Sequence, residues 1–95
     1  MKEICWDSFK NEQLKTQRGI SFEEVSICIA QKEFLSIIEN PSQKRSGQRV
    51  FVISFQDYVY YVPFVEDEEK IFLKTVIPSR KLTKKYLEGN ENEKI

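Results

Sequence analysis

Between Lys74 and Lys85 the chain carries five basic side chains, Lys74, Arg80, Lys81, Lys84 and Lys85, and no acidic one. Over all 95 residues, fifteen Lys and Arg balance fifteen Asp and Glu, so the formal net charge is zero. Cations gathered locally in a neutral chain suit contact with an anion. Arginine meets phosphate best, because its planar fork spans two oxygens and stays charged. Arg80 stands where an apolar, strand-like run breaks at Pro78 and a basic helical pattern begins, and backbone N–H groups at a helix start add attraction for an anion. The plainer alternative is a solvated cationic face, which is how Lys84 and Lys85 read on their own. The sequence has no histidine. That removes Ser-His and Cys-His nucleophile pairs and any acid–base role for an imidazole. Cys5 and Cys28 are too few and too far apart for a zinc site, and they are expected as buried free thiols.

The elements that must position these groups are legible in part. Asp7 caps a polar helix running to about Thr16 or Arg18, with Phe9 and Leu14 as its apolar anchors and Gly19 at its stop. Ser21 and Glu24 form a capping box, and Ile20 and Val25 sit where a hydrophobic staple closes it. The second helix runs to about Ala30 or Lys32 and buries Phe22, Val25, Cys28 and Ile29. From Phe34 the period changes. FLSIIE reads as a short strand, followed by the polar loop NPSQKRSGQ. RVFVISF, YVYYVPFV and IFLKTVI are three further strands, rich in β-branched and aromatic residues. Their short connections, Gln56-Asp57 and the acidic 66–69 run, favour antiparallel neighbours. A last helix takes Ser79 or Thr83 as its cap, keeps Leu82 and Tyr86 on one face and stops at Gly89.

These elements predict an α+β domain over residues 1–89 in the order ααββββα, a four-stranded antiparallel sheet with flanking helices, and a polar tail at 90–95. No apolar run reaches the roughly 20 residues of a membrane span, and residues 1–11 lack the apolar segment of a secretory signal. A cytoplasmic protein without membrane contact is expected. Along the third strand neither alternating set is polar: Tyr58, Tyr60, Val62 and Phe64 form one, Val59, Tyr61, Pro63 and Val65 the other. Either part of an aromatic face is left for a partner protein, a second copy or nucleic-acid bases, or the tyrosines fill core edges with hydroxyls reaching water.

Three segments, WDSFKNEQLKTQRGISFEEV from Trp6 to Val25, GQRVFVIS from Gly47 to Ser54 and IPSRKLTKKYL from Ile77 to Leu87, together resemble the BrnT-like toxins of type II toxin–antitoxin pairs. The likeness covers most of the chain in order, without large insertions. It implies a compact sheet-and-helix fold related to the RelE toxin superfamily. It also implies a ribonuclease that stops translation and is neutralised by a cognate antitoxin, with operator DNA contacted only through that antitoxin. Homodimers or toxin–antitoxin heterotetramers are the assemblies to expect. The family's functional arginines correspond here to Arg49, which opens the second strand, and Arg80, in Ser79-Arg80-Lys81. Two departures stand out. The Lys-His-Gly that ends the first helix in many members is Gln17-Arg18-Gly19 here, so an imidazole or lysine role at that turn is either lost or replaced by Arg18. The family serine that often precedes the terminal Ser/Ala-Arg-Lys step is Pro78 here.

Cleaving RNA without a metal or cofactor needs a base for the 2′-hydroxyl, a cation for the phosphorane and an acid for the leaving 5′-oxygen. On this resemblance Arg80 and Arg49 flank one phosphate. Proton transfer falls to Tyr86, Lys81, Lys10 or a carboxylate, and Lys10, Arg18, Lys84 and Lys85 contact the RNA backbone. Zero net charge gives little long-range attraction for naked RNA, so ribosome-bound mRNA is an alternative substrate. It also favours a second function: a catalytically inactive toxin fold kept as a protein-interaction module.

Overall fold

The computed structural model describes residues 2–41, 44 and 47–88, the last by its backbone alone. The expected helix stop at Gly89, the tail at 90–95 and part of the loop after Asn40 lie outside these residues. The chain runs β1 (Glu3–Trp6), α1 (Ser8–Arg18), α2 (Phe22–Ala30), β2 (Ser36–Glu39), β3 (Arg49–Phe55), β4 (Tyr58–Glu66), β5 (Lys70–Leu73), β6 (Ile77–Pro78) and α3 (Arg80–Thr83), which continues as one π-helical turn (Lys84–Glu88).

The helix ends follow from local chemistry. Asp7 is extended and its Oδ1 accepts the Phe9 N–H at 3.1 Å. Gly19 closes α1 in the left-handed region (φ 68°), where a Cβ costs about 1–2 kcal/mol, and its N–H bonds to the Lys15 carbonyl. The expected anchor Phe9 is instead 69% exposed. At 3.6 residues per turn it lies about 140° around the helix from the buried Leu14. Asn11 takes the inward place: its Oδ1 accepts the Phe22 N–H at 2.7 Å and its Nδ2 donates to Glu23 at 2.8 Å. The capping box of α2 is complete, and Ile20 and Val25 are both fully buried in one cluster with Phe22 and Ile29. Both cysteines are free but only half-buried, and burial, with Glu33 and Glu24 nearby, pushes the Cys28 thiol up.

The sheet departs from expectation. Among the described residues it has six strands in the order β1-β5-β4-β3-β2, with β6 paired to β4, so their chain order is βααβββββα. It is mixed, because β1 lies parallel to β5 (Glu3↔Lys70 to Trp6↔Leu73) while the other pairs are antiparallel. The single strand expected at 71–77 is two. On one edge β4 pairs with β3; on the other its Tyr60 and Tyr61 pair with β6 and its Phe64 to Glu66 with β5. Between them, at Lys74, Thr75 and Val76, the Lys74 N–H bond to the Pro63 carbonyl (2.8 Å) is what links this segment to β4.

The β3–β4 turn holds Gln56 and Asp57 at φ 53° and 64°. Paired positive φ values match the twist of a two-residue hairpin, but side chains there are strained. Asp57→Gly should therefore stabilise the domain by about 0.5–1 kcal/mol, the strain relief being partly offset by glycine's chain entropy. A urea midpoint that falls would contradict this.

Each sheet face has its own cover. Phe51, Ile53, Val62, Phe64, Leu73 and Val76 pack with Leu14, Phe22, Val25 and Ile29 under α1 and α2. Val50, Val52 and Val59 pack with Leu82 of α3, flanked by Ile38, Tyr61, Tyr86 and Leu87. Tyr58, Tyr60 and Tyr61 are half-buried. Among the described residues the exposed large apolar side chains are Phe9, Ile27, Leu35, Ile37 and Val65, so the uncovered apolar surface there is not the tyrosine stripe. Among the described residues no helix is long and apolar enough to cross a membrane.

Candidate functional site

One hydroxyl caps helix α3 and a second fastens it to the sheet. Ser79 Oγ accepts the Leu82 N–H at 3.1 Å, and Thr83 Oγ1 donates to the Ser79 carbonyl at 2.7 Å. Thr83 Oγ1 also accepts the Val59 N–H at 2.9 Å, a bond buried between helix and β4. Leu82 and Thr83 thus face inward, and Arg80, Lys81, Lys84 and Lys85 are left exposed. Tyr86 is half-buried against the same cluster, with Lys85 Nζ 5.6 Å from its ring centroid. The expected attraction from a helix start is not available. The helix is four residues long before its π turn, and its Leu82 and Thr83 N–H groups are taken by Ser79. Any pull on an anion comes from the side chains.

Thr83→Val keeps the shape but leaves the Val59 N–H buried without an acceptor. It should cost about 1–3 kcal/mol. Equilibrium urea unfolding checks this, and a change within error would mean that α3 is not held through Thr83.

Beside α3, where β5 and β6 part, the sheet opens into a cleft of about 390 Å³. Lys10 reaches it from α1, and Lys74 and Thr75 from the interruption. Tyr61, Pro63 and Ile77 form its less polar wall, and Asn40 and Gln48, from the ends of β2 and β3, complete it. Tyr61 also packs in the cluster under α3, so cleft and helix share one side of the sheet. Lys74 Nζ stands 5.5 Å from the Phe72 ring centroid. Among the described residues, ion pairs engage Lys2, Lys15 and Arg49, and none engages Lys10, Lys74 or the four cations of α3. Nor does any group of three or more His, Cys, Asp and Glu stand ready to hold a metal.

Arg49 lies elsewhere. Its guanidinium carbon is 5.5 Å from the centroid of Phe64, a residue of the face under α1 and α2. It is paired with Glu66, which also takes Lys2 at 2.7 Å. The Lys2 hydrogen bond, with the charges of Lys2 and Arg49, holds the Glu66 carboxyl below its ordinary value. Along β4, Val59 (bonded to Ser79) and Phe64 are separated by about 16 Å of strand. The expectation that Arg49 and Arg80 flank one phosphate is therefore not met: they occupy opposite faces and opposite ends of β4. Arg18 is exposed at the end of α1, the helix that covers the other face.

The structure thus gathers Lys10 with Lys74, Tyr61, Thr75, Asn40 and Gln48, a group of which the sequence reading had singled out only Lys10 for a site. Lys74 was visible in the basic run, but the cleft depends on β4 pairing with two separate strands along one edge. Scans against family models, curated proteins and solved structures each find no match to this chain.

Proposed function

We propose that this chain is a BrnT-like, RelE-related toxin of the cytoplasm. On this reading it is a metal-independent endoribonuclease that cleaves RNA, stops translation and is neutralised by a cognate antitoxin. The observation that carries the reading is the set of cations that no carboxylate pairs among the described residues: Lys10 and Lys74 at the cleft, and Arg80, Lys81, Lys84 and Lys85 facing outward on α3 and its π turn. Such cations suit a phosphate backbone.

The roles divide by position. Arg80 meets the phosphate in flight and stabilises the charge that grows on its oxygens. Lys81, Tyr86 or Lys10 moves the proton of the 2′-hydroxyl or supplies one to the leaving 5′-oxygen. Lys84 and Lys85 steer the strand. Arg49, on the far face, acts through its pair with Glu66 and not on RNA. The antitoxin, as a homodimer-bridging or 2:2 partner, carries any contact with operator DNA.

Zero net charge, the Gln17-Arg18 departure and the engagement of Arg49 favour the interaction-module alternative. One experiment separates the two. Purified protein is incubated with end-labelled RNA, free and ribosome-bound, in excess chelator, and its gene is induced in cells. Cleavage leaving 2′,3′-cyclic phosphate ends, together with growth arrest, supports the toxin. Intact RNA in both settings and unaffected growth leave the binding module.

A further inference from the structure

We infer that the cleft beside α3 is a nucleotide subsite, with a phosphate held between Lys10 and Lys74 and a base laid against Tyr61. The inference deepens the RNA reading and rests on it for the natural occupant. It stands on three features that match the parts of one nucleotide.

The cations come from different elements, Lys10 from α1 and Lys74 from the end of β5, yet they line one concavity. A solvated charge run along one helix does not produce that convergence. The Tyr61 ring, with Pro63 and Ile77, offers an apolar wall of the kind on which any base can stack. The third feature is the amide pair. Asn40 Nδ2 donates to Gln48 Oε1 at 2.9 Å, and the Asn40 N–H to the Gln48 carbonyl at 2.6 Å. The first bond fixes the Gln48 amide with its oxygen toward Asn40, so its NH₂ group is presented away from Asn40 as a donor to a base edge or a ribose oxygen. The volume, about 390 Å³, lies within the roughly 300–1,000 Å³ usual for small-molecule sites. A bare anion would leave most of it empty.

The test is an amide-resolved NMR titration of the full chain with each of the four nucleoside 5′-monophosphates, a four-residue RNA, inorganic phosphate and uridine. Nucleotides should bind at least about tenfold more tightly than phosphate or uridine, because only they fill both halves of the site. The amides of Gln48, Lys74 and Thr75 should move most. Lys10→Gln, at a half-buried position, and Lys74→Gln, at an exposed one, should each weaken nucleotide binding about tenfold, and Lys74→Arg should restore most of it. The two sources are told apart by the oligonucleotide: tighter binding through the same amides marks an RNA strand, and equal binding marks a free nucleotide. Inorganic phosphate matching the nucleotides would overturn the inference, as would Lys→Gln variants that bind like the parent. Nucleotide binding without RNA cleavage would remove the toxin and keep the subsite. Cleavage without nucleotide binding would do the reverse.

Discussion

Replacing Arg80 with alanine should lower RNA cleavage by a few hundredfold and abolish growth arrest, while leaving the melting temperature unchanged. Arg80 is exposed as the first residue of α3 and contributes no buried surface to the core. On the proposed ribonuclease reading, its loss removes one preorganised charge from the reacting phosphate, an effect of about 3–4 kcal/mol on the barrier. Arg80→Lys should recover only part, because an ammonium cannot bridge two phosphate oxygens. Lys85→Ala should weaken RNA association mildly, and more at low salt than at high. Arg49→Ala supplies the contrast. It breaks a surface pair that contributes no more than about 1 kcal/mol, and cleavage should stay within about twofold of the parent. If Arg49→Ala is the inactive variant and Arg80→Ala cleaves normally, the catalytic face is the one under α1 and α2.

Phe22→Ala should bring the domain close to unfolding. Phe22 has no exposed surface, opens α2 inside the larger cluster, and stacks on Trp6 with ring centroids 5.9 Å apart. Truncating a buried phenylalanine costs about 3–5 kcal/mol. A chain of this length has a total stability of roughly 5–14 kcal/mol, so the loss takes from about a fifth of it to nearly all of it. Trp6 is the only tryptophan, so its fluorescence in urea follows the contact directly. A midpoint displaced by less than the equivalent of about 1 kcal/mol would mean that α2 does not seat on β1 as described.

Local signals survived from sequence to structure, and non-local ones did not. Asp7, Gly19, the Ser21–Glu24 box and the Ser79 cap all act within three or four residues of themselves, and each holds the place its chemistry suggests. The long strands β3 and β4 also announced themselves through β-branched and aromatic runs. Strand β1 did not, because Glu-Ile-Cys-Trp is too short to show a period and its partner is β5. The break at Lys74 to Val76 was hidden for a similar reason, since an apolar run does not reveal that its two halves pair with β4 at separate places. The same limit governed the site. Alternation sends Arg49 to the side of Phe51, while α3 closes over Val50 and Val52, and no motif records which helix covers which side. Phe9 shows the hazard in miniature: an aromatic residue in a helix reads as an anchor, although the inward position belongs to Asn11.

The parallel pairing of β1 with β5 also bears on how the chain is made. Glu3 finds its neighbour only when Lys70 has been synthesised, and Trp6 only with Leu73. At roughly 5–20 residues per second, the first strand waits on the order of several seconds after leaving the ribosome. During that time the nascent chain carries Ile4 and Trp6 without their partners on β5. Once β5 emerges, its outer edge stays open until β1 returns to close it. Strand β1 is therefore made before its partner yet is among the last to reach its place, and a nascent-chain chaperone would find Ile4 and Trp6 uncovered in the interval.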